Sequence, residues 1–267
     1  MEQELLEYNV LRTIIVCIIA GAGAGLGTGF SGMSAAVVIS PMLITFLDLN
    51  PYEAIGIALA SDVLASAISA YTYGKNKNID IKNSRTLFVS VLIFTIIGAF
   101  LAQLVPPATM GNLTIYASLL MGLNFLAKST KDPVEQENTK PKKEYTPKLK
   151  TILPIICGAI IGTICGFIGA GGGIMMLILL TTVLQYELKI AVGTSVFIMT
   201  FTALFGATSH FMLQGIMPDL LIFGICAIST LIFATIGSRF ANKAEPKKLY
   251  RATGIVLSSL GIFMIIF

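Results

Sequence analysis

Few residues of this chain could do chemistry in an apolar setting, and they fall into three groups. The first is a lone carboxylate. Asp62, within Ala60-Ser-Asp-Val-Leu-Ala-Ser66, is the only acidic residue well inside an apolar run. An ionised carboxylate at membrane depth costs about several kcal/mol unless it is paired or wetted. No Lys or Arg lies at comparable depth, so Asp62 is the candidate group for coupling to protons or cations. The plainer reading is a neutral Asp satisfied by Ser61 or Ser66. The second group is glycine, in Gly25–Leu43 (GLGTGFSGMSAAVVISPML) and Gly162–Ile178 (GTICGFIGAGGGIMMLI). A glycine inside a helix costs about 1 kcal/mol relative to alanine. In lipid, the backbone groups that a break frees must find partners within the protein. Gly32, Gly166, Gly169, Gly171, Gly172 and Gly173 therefore mark helices that stop and restart. Half-helix N-termini at 34–37 and 171–174 would present N–H groups and a positive dipole end to a small anion. The competing reading is close helix packing. The third group is hydroxyls that could select an oxyanion: Ser31, Ser34, and Thr194 and Ser195 after Gly193. Bonding back to the preceding turn is the alternative for them.

The elements that must position these residues are membrane spans. The 267 residues are 55% hydrophobic and 12% charged, with mean hydropathy +0.85, which excludes an ordinary soluble domain. Apolar runs cut at charges, Pro and Gly give five segments in each half: 11–29, 33–48, 52–73, 86–105 and 112–127, then 151–168, 172–186, 189–212, 218–239 and 251–267. The glycine-interrupted pairs are short for full spans and could be re-entrant hairpins. Residues 128–150 form a charged linker, so the expected division is 1–127, 128–150 and 151–267.

The halves repeat. At an offset of 137, Gly29, Phe30, Gly32, Ala54, Gly56 and Ala70 match Gly166, Phe167, Gly169, Ala191, Gly193 and Ala207; at 139, Phe94, Gly98, Ala102 and Gly122 match Phe233, Gly237, Ala241 and Gly261. Asp62 falls opposite Met199, so charge chemistry would be asymmetric. Residues 74–85 carry Lys75, Lys77, Lys82 and Arg85, whereas the matching loop 213–218 carries no Lys or Arg. Residues 106–111 carry none, whereas 239–251 carry Arg239, Lys243, Lys247, Lys248 and Arg251. The positive-inside rule then places 74–85, the lysine-rich linker and 239–251 in the cytoplasm. Matching loops face opposite sides, so the expected fold is an all-α integral membrane protein of two inverted repeats, with broken Gly-rich helices or re-entrant hairpins and both termini outside. Net charge +4 sits in loops and reports topology, so no nucleic-acid partner is expected.

Other motifs lead to less. Gly27-x-Gly29-x-x-Gly32 fits the dinucleotide pattern but lacks the strand and βαβ context. Gly29-Phe-Ser-Gly32 resembles the GxSG of intramembrane serine proteases, with His210 as a conceivable base. The second half puts Ile168 at the Ser31 position, so the architecture keeps the glycines without a nucleophile. His210 is expected near the outer end of its helix, as an interfacial or capping residue. Cys17, Cys157, Cys165 and Cys226 lie in apolar spans without metal or framework spacing. No catalytic residue, cofactor or metal site is expected.

The chain resembles the TauE/SafE sulfite-exporter-type permeases. The resemblance rests on Gly166-Phe-Ile-Gly-Ala-Gly-Gly-Gly173, Pro41-Met-Leu43 and Ala191-Val-Gly-Thr-Ser195. It covers nearly the whole chain except the linker and the N-terminal tail. It implies an inner-membrane permease for sulfite, sulfonates or related small organic anions. Met33-Ser-Ala-Ala36 replaces the usual glycine run, and Pro41 has Ile178 as its counterpart. The combined expectation is a secondary transporter working by alternating access, with lipid and a small anion as partners and homo-oligomerisation left open. An anion channel is the nearest alternative, and a membrane-embedded hydrolase a more distant one. Single cysteines at Asn78, Asn138 and Ala244, with native cysteines removed, should all be shielded from an impermeant thiol reagent in intact cells. Labelling at Asn78 with protection at Asn138 would contradict this topology.

Overall fold

Capping side chains start three of the described helices. The computed structural model describes residues 2–113, 116, 147–169, 172–215 and 217–244. It contains α1 (Glu2–Ser31), α2 (Ala36–Leu47), α3 (Pro51–Lys75), α4 (Ile81–Ala102), α5 (Pro147–Ile168), α6 (Gly172–Thr182), α7 (Leu188–Gln214) and α8 (Leu220–Lys243). Asn50 accepts the Tyr52 N–H at 3.0 Å to start α3, with Pro51 in its first turn. Asp80 starts α4 through the Asn83 N–H at 3.1 Å, and Asp219 starts α8 through the N–H groups of Leu221 and Ile222. Each supplies an acceptor for donors that have no partner inside the helix. Gly215, at φ 63°, closes α7 in the left-handed conformation.

Five of the described helices are long and apolar enough to cross a membrane, while α2 and the apolar part of α5 are shorter. The chain is therefore an all-helical integral membrane protein. The expected segments 112–127 and 251–267, and most of the linker, lie outside the described residues. Several boundaries differ from expectation. α1 starts at Glu2 rather than at 11, and α6 ends at Thr182 rather than at 186. The 74–85 loop shortens to 76–80, because α3 runs to Lys75 and α4 starts at Ile81. α8 runs on to Lys243, carrying Arg239. α5 begins at Pro147, within the residues expected for the linker. Lys and Arg extend helices past the apolar run because their stems lie along it while their charges reach water; proline suits a first helical turn.

α3 and α7 form the central pair and run antiparallel. Tyr73, near the end of α3, packs on Gly193 near the start of α7, and Gly56 near the start of α3 packs on Phe211. Two outer pairs flank them, each parallel. Gly21, Gly25 and Gly29 of α1 meet Ser229, Ala234 and Ser238 of α8, and Gly158, Gly162 and Gly166 of α5 meet Ser90, Thr95 and Ala99 of α4. A Cβ at Gly29 would sit 2.6 Å from the Ser238 nitrogen, so only glycine permits this approach. Such small-residue seams let helices pack closely where no hydrophobic drive separates lipid from protein.

One end of the bundle is basic. Asn78 donates to Asn242 at 2.9 Å and Lys189 to the Asn242 carbonyl at 2.9 Å, so the 76–80 turn, the start of α7 and the end of α8 meet there. Ser84 and Tyr186 are 3.2 Å apart at this end, where burial pushes the Tyr186 hydroxyl up to about 12. Burial alone would raise Asp80, but hydrogen bonds from Asn83, Tyr186 and the Lys82 N–H outweigh it and lower it. At the opposite end, Glu53 accepts the Asp219 N–H at 3.0 Å, and the Tyr52 hydroxyl donates to the Ala102 carbonyl at 2.9 Å. The 76–80 turn and the described residues 239–244, which carry Arg239 and Lys243, thus share one end of the described bundle. If that clustering is intrinsic to the fold, Asn78→Ala should loosen the basic end alone. Hydrogen exchange should rise at 76–80 and 240–244 and stay unchanged at 50–54; equal change at both ends would contradict it.

Candidate functional site: two helix breaks and a buried carboxylate

The last helical bond of α1 runs from the Gly32 N–H to the Thr28 carbonyl at 2.9 Å. Gly32 then turns into the left-handed region at φ 65°, a conformation that glycine enters without a Cβ penalty. Four residues later α2 begins. Ser34 sits in the turn with two roles. Its Oγ donates to Asp62 Oδ2 at 2.7 Å and accepts the Ala36 N–H at 3.3 Å. Asp62 is 1% exposed. The Ala35 N–H faces its carboxylate, while Oδ1 has no hydrogen-bond partner among the described residues. The N-terminus of α2 therefore already has an acceptor in front of it, and that acceptor is the protein's own carboxyl group. The first-turn N–H groups of Val37 and Val38 bond the carbonyls of Ser34 and Ala35. An open row of free N–H groups at 34–37, the sequence expectation, is thus not what this state presents.

The second break mirrors the first. The Gly169 N–H bonds the Cys165 carbonyl at 2.9 Å, and Gly169 takes φ 72° before α6 begins at Gly172. Gly171 lies outside the described residues. Gly32 packs against Ser195, Val192 and Val196 of α7, and Gly169 against Ile55 and Leu59 of α3. Each break thus leans on the central helix of the other half, at positions related by the repeat offset. The breaks also touch: a Cβ at Gly173 would fall on the Gly32 carbonyl and against Met199. Cys165 lies beside Gly172, and Ser34 ties Asp62 to the turn that follows Gly32. Asp62 accordingly sits where the two breaks cross.

The other expected residues are placed differently. Ser61 donates to the Ile57 carbonyl at 2.9 Å and Ser66 to the Asp62 carbonyl; neither touches the carboxylate, which Ser34 holds instead. Ser31 donates to Gly27 at 2.8 Å and Ser195 to Val192 at 2.8 Å, both back-bonds within a helix. Thr194 Oγ1 accepts the Asp80 N–H at 3.0 Å, and Gly193 packs on the Asn78 carbonyl, so both hold the basic-end turn. The glycines thus serve break and packing roles together. His210 lies near the end of α7, as expected, but is buried rather than interfacial: it is 2% exposed, with Nε2 3.0 Å from the Gly166 carbonyl. Ser31 and His210 bond separate backbone carbonyls and do not pair. Sequence reasoning missed Tyr73, whose hydroxyl donates to the Gly29 carbonyl at 3.1 Å. The available signal was its position, since Tyr73 matches His210 at the repeat offset. At the basic end, an open surface groove between α3 and α7 is bordered by Lys75, Lys82 and Asp80.

Long apolar spans, paired half-helices and a carboxylate at their crossing define a multi-pass membrane protein of the transporter class. The family model described as Sulfite exporter TauE/SafE matches residues 17–264, and the chain belongs to that family of membrane transporters. It is similar to the probable membrane transporter protein YunE of Bacillus subtilis, at 23% identity over 269 residues, covering 95% of this chain and 97% of that protein. It is also similar to the probable membrane transporter protein MJ0441 of Methanocaldococcus jannaschii, at 25% identity over 273 residues and 98% of both chains. No solved structure matches.

Contact between the breaks gives a direct test. Gly173→Ala puts a methyl on backbone that cannot yield, an overpacking cost of about 1–3 kcal/mol. Gly224→Ala enters open space and should hold stability or raise it by up to about 1 kcal/mol through helix propensity. In detergent, the thermal unfolding midpoint should fall for the first variant and hold or rise for the second. Equal midpoints would contradict the crossing.

Proposed function

We propose that the chain is a secondary transporter that moves a small anion by alternating access, with Asp62 coupling the movement to protons. Sulfite, an organosulfonate or a related organic anion is the substrate class, in keeping with the family's description. The observation that carries the reading is the Asp62 carboxylate, buried at the start of α2, with one oxygen on Ser34 and the other without a partner. An anion arriving at that helix end meets a negative charge already there. Protonation of Asp62 removes the repulsion and frees the Ser34 hydroxyl and the Ala35 N–H for the ligand. Proton and anion then favour the same state of the site, which is what coupling requires. Ser31, Thr194 and Ser195 are proposed to assist only in states where their present bonds open; Gly32, Gly169 and Gly171 to Gly173 allow backbone to approach the ligand.

Two inverted repeats, 1–127 and 151–267, joined by a cytoplasmic linker at 128–150, are the proposed frame. The antiparallel run of α3 and α7 supports it, because these helices occupy matched positions in the two halves. Clustering of the cation-rich connections at one end supports placing that end in the cytoplasm of a cell inner membrane. Asp62→Asn, which mimics the protonated form, should still exchange substrate down its own gradient in proteoliposomes. It should lose the response to an imposed pH difference. Unchanged pH-driven flux would remove Asp62 as the coupling residue.

A further inference from the structure

The two breaks share a feature outside the anion site. Where a helix stops, its last carbonyls lose their partners. In α1 the first carbonyl so released is that of Gly29, and it accepts the Tyr73 hydroxyl at 3.1 Å. In α5 the corresponding carbonyl is that of Gly166, 3.0 Å from His210 Nε2, which bonds it when that nitrogen carries the proton. Gly29 and Gly166 are related by the repeat offset, and so are Tyr73 and His210. Two unlike side chains thus make the same bond in the two halves, each reaching from a full-length central helix to the broken helix beside it. Both are buried. Tyr73 lies two residues before the end of α3, at the basic end, and His210 four residues before the end of α7, at the opposite end.

We infer that Tyr73 and His210 are paired positioning residues that hold the two broken helices closed, Tyr73 at the basic end and His210 at the opposite end. The inference rests on the alternating-access reading and deepens it. Beyond these bonds, the ends of α1 and α5 lie on α8 and α4 through glycine seams and meet α7 and α3 at Gly32 and Gly169, packing contacts that add no side-chain bond to either released carbonyl among the described residues. Parting either bond strands a buried carbonyl, which is tolerable only if water enters at that end. Release of one latch is therefore tied to wetting of one side. With both bonds made, as here, Ser34 and Asp62 are each 1% exposed and the crossing is shut from both directions. If the two side chains only satisfied a carbonyl, their loss would loosen the protein without regard to side.

The test uses Cys165, which lies at the crossing, as the sole thiol, with Cys17, Cys157 and Cys226 replaced by alanine. In oriented vesicles, Tyr73→Phe should raise labelling of Cys165 by an impermeant thiol reagent applied at the basic end. His210→Phe should raise it from the opposite end. The change should be about tenfold, the scale of one net hydrogen bond. His210→Gln, which keeps a donor, should return labelling toward the unaltered rate. Hydrogen exchange on the same variants in detergent should rise at 30–36 for Tyr73→Phe and at 165–169 for His210→Phe, which checks the assignment even if either variant is less stable. Labelling that rises equally from both sides, or from neither, or exchange that rises throughout the chain, would overturn the inference. No substrate is needed, so one-sided labelling in a protein that moves no anion would count against the transport reading and leave the latches standing.

Discussion

A helix broken inside a membrane must satisfy its own loose ends, and the rest of this structure follows from that. Water is absent from the hydrocarbon region, so each carbonyl and N–H released by a break needs a partner from the protein. At the first break the Ala36 N–H goes to Ser34 Oγ, and the Gly29 carbonyl to Tyr73. At the second, the Gly166 carbonyl goes to His210. Ser34 stands in the turn itself, Tyr73 on α3 and His210 on α7. The breaks, the seams and the central antiparallel pair are one construction: without the close approach of α1 to α8 and of α5 to α4, the break ends would not lie within reach of α3 and α7.

The two halves use one geometry and different chemistry. Asp62 in the first corresponds to Met199 in the second, and both lie beside the crossing. Tyr73 corresponds to His210, and each makes the same contact. Tyr73 and His210 make these contacts toward opposite ends of the central pair, and the carboxyl group of Asp62 has no counterpart in the second half. Its Oδ2 has the Ser34 hydroxyl, and its Oδ1 has no hydrogen-bond partner among the described residues.

Much of this was legible in the sequence. Apolar runs cut by charge marked the helices that fall among the described residues, and glycines in phase marked the two breaks. Loop lysines separated the cation-rich connections, whose described parts the fold gathers at one end. Family membership was legible because the Gly166–Gly173 and Ala191–Ser195 patterns persist in a chain otherwise built of interchangeable apolar residues. Partner choice was not legible. Ser61 and Ser66 are the sequence neighbours of Asp62, but a hydroxyl on a helix reaches the carbonyl four residues back more easily than a side chain on its own turn. The partner, Ser34, comes from 28 residues away. Thr194 looked like part of an anion site and instead holds a turn, because the contact with Asp80 depends on how α7 meets the basic end. Tyr73 escaped notice because residue identity hides an equivalence that position alone reveals.

The central claim is that anion and proton use the same helix end. An organosulfonate tests it cleanly, because such an anion stays ionised and cannot itself carry protons through lipid. Unaltered protein is placed in proteoliposomes with a pH-sensitive dye in the lumen, and an organosulfonate gradient is imposed. The account predicts saturable sulfonate flux accompanied by a change of lumenal pH that disappears in Asp62→Asn. Saturable flux of the same sulfonate with no movement of protons in the unaltered protein would contradict it.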